Sequence, residues 1–221
     1  MADRNKDSAG AAFARVGAAA VAFGLVHSAL ASRRAKRLAE QLAGERRARG
    51  GYRLAFNGAS AVLTTALAVY VYRRRGPEVY AITGPVAWLM HAGQAAALAW
   101  AVKASVDADP ADLWGVGPAW RWLTGAPLKP IMDGQGPAEF EPGRPRIEGA
   151  FHRTRNPLNF VVLPVMWLGP RPTAGRLALN TVFSAYAVLG SWHAERMFEA
   201  RHGAAWEPYA RQTPLVLPRL T

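Results

Sequence analysis

Long apolar runs alternate with short basic segments along this chain. Residues 11–31 open with Ala-Ala-Phe-Ala-Arg and continue from Val16 to Ala31 with only His27 and Ser28 as polar interruptions. Residues 54–72 and 79–102 are two further runs, rich in Ala, Leu and Val with internal Gly. A helix needs about 20 apolar residues to cross a bilayer, and small residues let such helices approach closely. Two more runs, 157–169 and 172–191, follow a long polar gap. The first of these is only about 20 Å long at 1.5 Å per residue. That is short of the ~30 Å hydrocarbon core, and Pro164 is expected to kink it. Gly169-Pro170-Arg171-Pro172 turns the chain before the last run, Thr173 to Ser191. The predicted fold class is all-α: a multi-pass transmembrane helical bundle of about five spans with a cytoplasmic C-terminal helix and loop region. It forms a single membrane domain over residues 1–221, with an N-terminal three-helix part (11–104) and a C-terminal part (105–221). The polar opening, Met1 to Gly10, lacks the cleavage pattern of a signal peptide.

Charge gives this bundle a direction. The formal net charge is +12, and the basic residues cluster between the runs. Arg33 to Arg53 separate the first two runs, Arg121 to Arg155 lie between the third and fourth, and Arg196 to Arg219 follow the fifth. With five spans these segments share one side, which the positive-inside rule makes the cytoplasm. The expected topology is N-terminus out and C-terminus in, in a bacterial inner membrane. Arg4, Lys6, Arg73, Arg74, Arg75, Arg171 and Arg176 remain on the other side, so the bias is imperfect. Strong basicity also suits nucleic acid, but the basic residues are not interleaved with aromatics on one compact element. Anionic membrane lipids are the expected partner, and nucleic acid is not. Mean hydropathy is −0.02, an average that hides the clustering. Cysteine is absent, which excludes disulfides, thiolate metal sites and a cysteine nucleophile. The five His residues have no ligand spacing, so no metal is expected. Oligomeric state leaves no trace in the sequence.

The segment 103–156 is rich in Pro and Gly, and a loop this long is usually functional. Trp114, Trp120 and Trp122 suit a membrane interface. Asp107 to Trp122 is expected to form a short interfacial helix.

Two patches can carry chemistry. Arg155-Asn156-Pro157 reads as a helix start, with Asn as cap and Pro in the first turn. His193-Ala194-Glu195-Arg196, with Glu199 one turn on, continues the last run into the cytoplasm. On its own it is a solvated face with i,i+4 pairs. Taken together, an arginine or amide from one patch and a carboxylate from the other can face the zwitterion of an amino-acid moiety. His27 and His91 are either satisfied polar residues of the bundle or the lining of an acceptor tunnel. No Gly-x-Ser-x-Gly elbow, phosphate-binding loop or dinucleotide fingerprint is present.

In order, the chain reads Gly149-Ala150-Phe151, Arg155-Asn156-Pro157-Leu158-Asn159, Ala194-Glu195-Arg196, Gly203-Ala204-Ala205-Trp206-Glu207-Pro208-Tyr209, and Thr213-Pro214 with Pro218. This order and spacing resemble the isoprenylcysteine carboxyl methyltransferase and phospholipid methyltransferase superfamily. In the front half, His27-Ser28, Tyr52-Arg53-Leu54 with Asn57, and Asp112-Leu113-Trp114-Gly115 look like the bacterial branch that includes methanethiol S-methyltransferases. NnrU-type membrane proteins are a more distant likeness. The resemblance implies S-adenosyl-L-methionine in a cytoplasm-facing pocket, and a small or lipophilic thiol or carboxylate acceptor reaching it from the membrane. Carried over position by position, the cofactor-binding residues are Gly149, Phe151, Arg155, Asn156, Pro157, Asn159 and Glu195. Arg155 would hold the methionine carboxylate and Glu195 the ammonium. The family's His is Asn156 here, its following Tyr is Asn159, and the first Glu of its pair is Ala194. Asn156 cannot titrate, so no general base falls at that position. No catalytic residue is assigned. The other reading is a non-catalytic, NnrU-like membrane accessory or assembly protein.

Overall fold

A computed structural model describes residues 7–219, so most of the polar opening lies outside the described residues. The chain is mostly helical. α1 (Ala9–Ala31) begins at Ser8, whose side chain accepts from the Ala11 amide. It ends at Ser32, which caps the next helix through the Ala35 amide. That helix, α2 (Arg33–Ala43), is short and amphipathic. α3 (Glu45–Arg73) and α4 (Gly84–Asp107) are long. Two short helices, α5 (Pro110–Trp114) and α6 (Val116–Leu123), precede a small hairpin of β1 (Glu139–Glu141) and β2 (Arg144–Pro145). α7 (Ala150–Arg153), α8 (Pro157–Trp167) and α9 (Ala174–His202) follow. A single 3-10 turn, Gly203–Ala205, then leads into α10 (Glu207–Gln212).

Small side chains decide how the long helices meet. α1 buries Ala12, Val16, Ala20 and Gly24, one residue per turn. A Cβ on Gly17 would touch Ala178, and one on Gly24 would press the Tyr186 ring at 3.3 Å. The pairing 17 with 178 and 24 with 186 means that α1 and α9 run parallel. α3 runs against them, because Leu67 and Val71 join Val16, Ala20, Ala178 and Leu179 in one apolar cluster. Close approach through small residues is how helices gain packing contacts when no water is available to drive them together.

Backbone bonds tie the loops at one end. Val79 N–H donates to Pro172 O and Ile82 N–H to Pro170 O, both at 2.9 Å. Ala174 and Gly175 donate back to Pro77 and Arg75. The turn after α8 is thereby fastened to the α3–α4 loop, so the far end of the short α8 reaches the same level as the ends of α3 and α4. These bonds also correct the third apolar run. Residues 79–83 are not helical, the Val79 and Ile82 amides being spent on the neighbouring turn, and the helix covers Gly84–Asp107 instead of 79–102. The fourth run is helical only to Trp167, with Pro164 inside the helix.

The expected interfacial helix 107–122 is two helices. They meet at Gly115, where φ is +86°. A Cβ there would lie 2.5 Å from Leu54 N, so the turn rests directly on the α3 backbone.

Among the described residues, α1 and α3 are long and apolar enough to cross a membrane. Their most apolar stretches are only 22% and 11% buried, which puts their side chains on the outside of the protein. Leu25, Val62, Trp88 and Leu89 are each more than two-thirds exposed. Apolar surface on this scale marks contact with lipid or a partner.

Gly115→Ala is expected to lower the thermal midpoint in detergent. The left-handed backbone costs about 1–3 kcal/mol in itself, and the clash with α3 adds to it. Gly125→Ala, at φ +78° with nothing within 4 Å, separates the two terms and should cost clearly less.

Candidate functional site

α8 starts where the chain turns inward at Asn156-Pro157. Pro157 occupies the first turn, where a missing N–H costs nothing. Asn156 is the cap residue by position, but its side chain does not cap. Its Nδ2 donates to Leu215 O of the C-terminal tail at 3.1 Å. The tail is held by three further bonds. Buried Thr154 donates its hydroxyl to Val216 O at 2.9 Å, Arg155 N–H donates to Pro214 O at 3.0 Å, and Arg219 N–H donates to Arg153 O at 3.0 Å. The end of the chain is strapped across the start of α8, which explains why the Thr213-Pro214 segment accompanies the Arg155 motif.

The Arg155 guanidinium pairs through Nη1 with Glu195 Oε1 on α9. Both side chains are largely buried, at 14% and 12% exposure. The same carboxylate oxygen accepts from Trp206 Nε1 at 2.9 Å. Trp206 is fully buried, stacked on His202 and edge-on to Tyr209. The Tyr209 hydroxyl donates to Phe151 O at 2.7 Å, and burial raises its pKa, so it stays protonated. The solvated-face reading of Glu195 is therefore corrected. Its environment is a buried polar knot that joins α7, α8, α9 and α10. Charge is tolerable there because it is paired and hydrogen-bonded. Arg155 Nε and Glu195 Oε2 are buried with no partner among the described residues.

Beside this knot lies a cavity of about 840 Å³, in the range of small-molecule sites. It follows α1 from Ala20 to Ala31, a length of about 16 Å. At one end its walls are apolar, with Ala20, Val21, Val182 and Ala185. At the other they carry Lys36, Arg53, Gln135, Asn156 and His193. Between these, His27 is bonded through Nδ1 to Ser60 Oγ at 3.2 Å, and Ser28 bonds the Tyr186 hydroxyl at 2.9 Å. Asn159 lines the wall and donates to Ser191 Oγ at 2.8 Å.

The expected site residues divide into three groups. Asn156, Asn159 and His27 line the cavity. Arg155 and Glu195 sit one residue behind wall positions Asn156 and Ala194, and face each other. Gly149, Phe151 and Pro157 are in the packing. Gly149, at φ +56°, lets the Asp107 carboxylate reach the Ala150 amide at 2.7 Å. Phe151 is fully buried with Ala108 and Leu113. His91 is exposed on α4, bonded to Gln94, and does not line the cavity.

Sequence reasoning missed Lys36, Arg53 and the loop 131–135 as wall elements. Arg53 Nε and Asn57 Nδ2 both donate to Leu113 O, at 2.8 and 3.0 Å, so the two front motifs interlock. Lys36 Nζ donates to Met132 O at 2.8 Å and to Asp133. Arg33 donates to the other Asp133 oxygen at 3.0 Å. These bonds hold the loop over the polar end. The pairing of separated motifs was the available signal for Arg53. Lys36 was indistinguishable from its basic neighbours.

A stretch of 66 residues, 30% of this chain, is 35% identical to methanethiol S-methyltransferase 2 of Bradyrhizobium diazoefficiens. The stretch spans 26% of that protein, so about a quarter of the relative's length is matched. No family profile matches the chain, and no solved structure does. The likeness supports a methyltransferase-like relationship over the matched stretch.

Burial raises the Asp133 pKa, but the hydrogen bonds and charges of Lys36 and Arg33 outweigh it and hold the carboxyl below its ordinary value. A depressed folded-state pKa stabilises above the unfolded value of about 3.9 and is lost as pH falls through the folded value. Asp133→Asn should therefore lower the thermal midpoint by a constant amount above about pH 5. The gap between wild type and variant should close in acid. A gap independent of pH down to acid unfolding would contradict the tie.

Proposed function

We propose that this protein is an integral-membrane methyltransferase that binds S-adenosyl-L-methionine at the polar end of the cavity and a small or lipophilic thiol or carboxylate acceptor along its apolar limb. The observation that carries this reading is one cavity running from apolar walls to a polar wall at Asn156 and Asn159, beside the largely buried Arg155–Glu195 pair. Similarity over 66 residues to a methanethiol S-methyltransferase supports the reaction class. The residues suit the donor. Asn156 spends its Nδ2 on Leu215 and keeps its Oδ1 as an acceptor, and Glu195 Oε2 and Arg155 Nε are buried polar atoms with bonding capacity to spare.

When bound, the donor supplies a methyl group already activated by its sulfonium. The chain's own tasks are alignment and exclusion of water. Asn156 and Asn159 bind and orient at the polar wall. Phe56, Leu25 and Val182 fix an apolar acceptor. The loop 131–135, tied down through Lys36 and Asp133, closes the polar end against the cytoplasm. Direct contact of Arg155 or Glu195 with a ligand requires their ion pair to open. While closed, it fixes the neighbouring wall positions. That closure also favours the second reading, a non-catalytic NnrU-like accessory or assembly protein, because a satisfied pair can serve as a strut.

In this reading α1, α3, α4 and α9 cross the cytoplasmic membrane of a bacterium, and α8 completes five spans from a deep start. The N-terminus lies outside and the C-terminus inside. The chain has no cysteine, so a single introduced thiol reports side unambiguously. Ala9→Cys should label with an impermeant maleimide in intact spheroplasts, and Gln212→Cys only after lysis. The reverse pattern would overturn the orientation.

The deciding experiment is calorimetry of S-adenosylhomocysteine on detergent-purified protein. Wild type should bind in the micromolar range. Arg155→Ala and Glu195→Ala should each weaken binding by about tenfold or more, which is about 1.4 kcal/mol. No binding by folded wild type would sink the enzyme and favour the accessory protein.

A further inference from the structure

We infer that Arg53 is the anion-binding residue of the cavity, and that a ligand carboxylate docks on its guanidinium. This rests on the cavity being a ligand site, as in the reading above, but not on which ligand supplies the carboxylate.

The argument starts from charge. No Asp or Glu lines the cavity, and its wall carries two permanent cations, Lys36 and Arg53. Lys36 is committed, with its ammonium on Asp133 and the Met132 carbonyl. Arg53 is not. Its Nε donates to Leu113 O at 2.8 Å, and no carboxylate among the described residues pairs with it. Half-buried Arg155 and Arg121 are paired with Glu195 and Asp112, whereas half-buried Arg176, away from the cavity wall, bonds only the Val165 carbonyl. Yet Arg53 is among the most buried charged residues of the chain, at 8% exposure. A buried charge without a partner is expensive, and proteins keep one where something else pairs with it.

The geometry suits a carboxylate. The guanidinium lies over the Phe56 ring, 5.6 Å from its centroid, which holds its plane. The bond from Nε fixes one edge, and the terminal nitrogens remain as a planar fork. That fork matches a carboxylate with two parallel hydrogen bonds. Asn57 shares the Leu113 carbonyl and so braces α5 against α3 at this point. The snorkelling expected of an arginine at a membrane interface would leave the head in water, and the 8% exposure shows the opposite.

Two molecules can bring this carboxylate: the amino-acid end of the methyl donor, or an acidic acceptor. Calorimetry on the full chain in detergent separates them. One arm compares S-adenosylhomocysteine with its carboxyl methyl ester. The other compares decanoate with decanamide. Each is run on wild type, Arg53→Lys and Arg53→Gln, with thermal midpoints recorded. Wild type should favour the acid over its neutral analogue by about tenfold in one arm, and that arm identifies the source. Arg53→Gln should abolish the preference, and Arg53→Lys should keep part of it. Both variants lose the Nε bond to Leu113, so a merely structural role would move them alike. No acid preference in either arm, or a preference that survives Arg53→Gln, overturns the inference. The two readings fail separately. Acid-selective decanoate binding with no S-adenosylhomocysteine binding sinks the methyl donor and keeps Arg53. Equal binding of S-adenosylhomocysteine and its ester, with no decanoate preference, sinks Arg53 and keeps the donor.

Discussion

The largely buried pair between Arg155 and Glu195 joins the start of α8 to the C-terminal part of α9. Either charge alone at that depth would be strongly destabilising, so each requires the other. Trp206 adds a donor to the same oxygen, which fixes the 3-10 turn and α10 against α9. Tyr209 then reaches Phe151, and the tail beyond α10 returns across residues 153–156. Two stretches about 40 positions apart, residues 151–156 and 195–219, are located by one ion pair and the bonds around it. The polar wall of the cavity, Asn156 and His193 with Ala194 between helices, is therefore placed by groups that do not themselves line it.

The cavity's other limb comes from a different constraint. α1 and α9 approach through Ala12, Val16, Ala20 and Gly24 on one side and Ala178 on the other. Small residues bring the backbones together at one end of the pair. Larger and polar groups, His27 with Phe56 and Tyr186, take over toward the other end. The space along α1 therefore has two unlike ends. An apolar limb beside the small-residue stripe and a polar one under the loop 131–135 follow from where that stripe stops.

Much of this was legible in the sequence. The helical runs, the turn at Gly169 to Pro172 and the helix start at Asn156-Pro157 all rest on local chemistry, and local chemistry decided them. The order of motifs from Gly149 to Pro218 signalled that those residues act as a group, and the structure gathers most of them into the knot. What could not be read was which bonds each would make. Asn156 looks like a cap, yet the tail outcompetes the helix amides for its side chain. Glu195 looks like a surface carboxylate, because nothing local announces that Trp206 and Arg155 close over it. Residues 79–83 look helical by hydropathy, but the Val79 and Ile82 amides pair with the turn after α8, a contact about 90 positions away. Each miss is a long-range hydrogen bond overriding a local preference.

The distribution of acids explains why Arg53 has no carboxylate partner. Asp112, Asp133, Glu139 and Glu195 are each half-buried or buried, and each is consumed by a named cation. All four lie outside the cavity wall. They neutralise the positive charge that folding brings together, and they do so from behind the wall. The wall itself is left with basic and neutral groups, so its potential is positive. In the proposed methyltransferase such a field would hold an acidic acceptor as its anion, so that the attacking atom would need no general base. That matches a chain whose Arg-Asn-Pro motif offers no titratable residue, and it makes the placement of acids, more than the identity of any nucleophile, the chemical signature of this site.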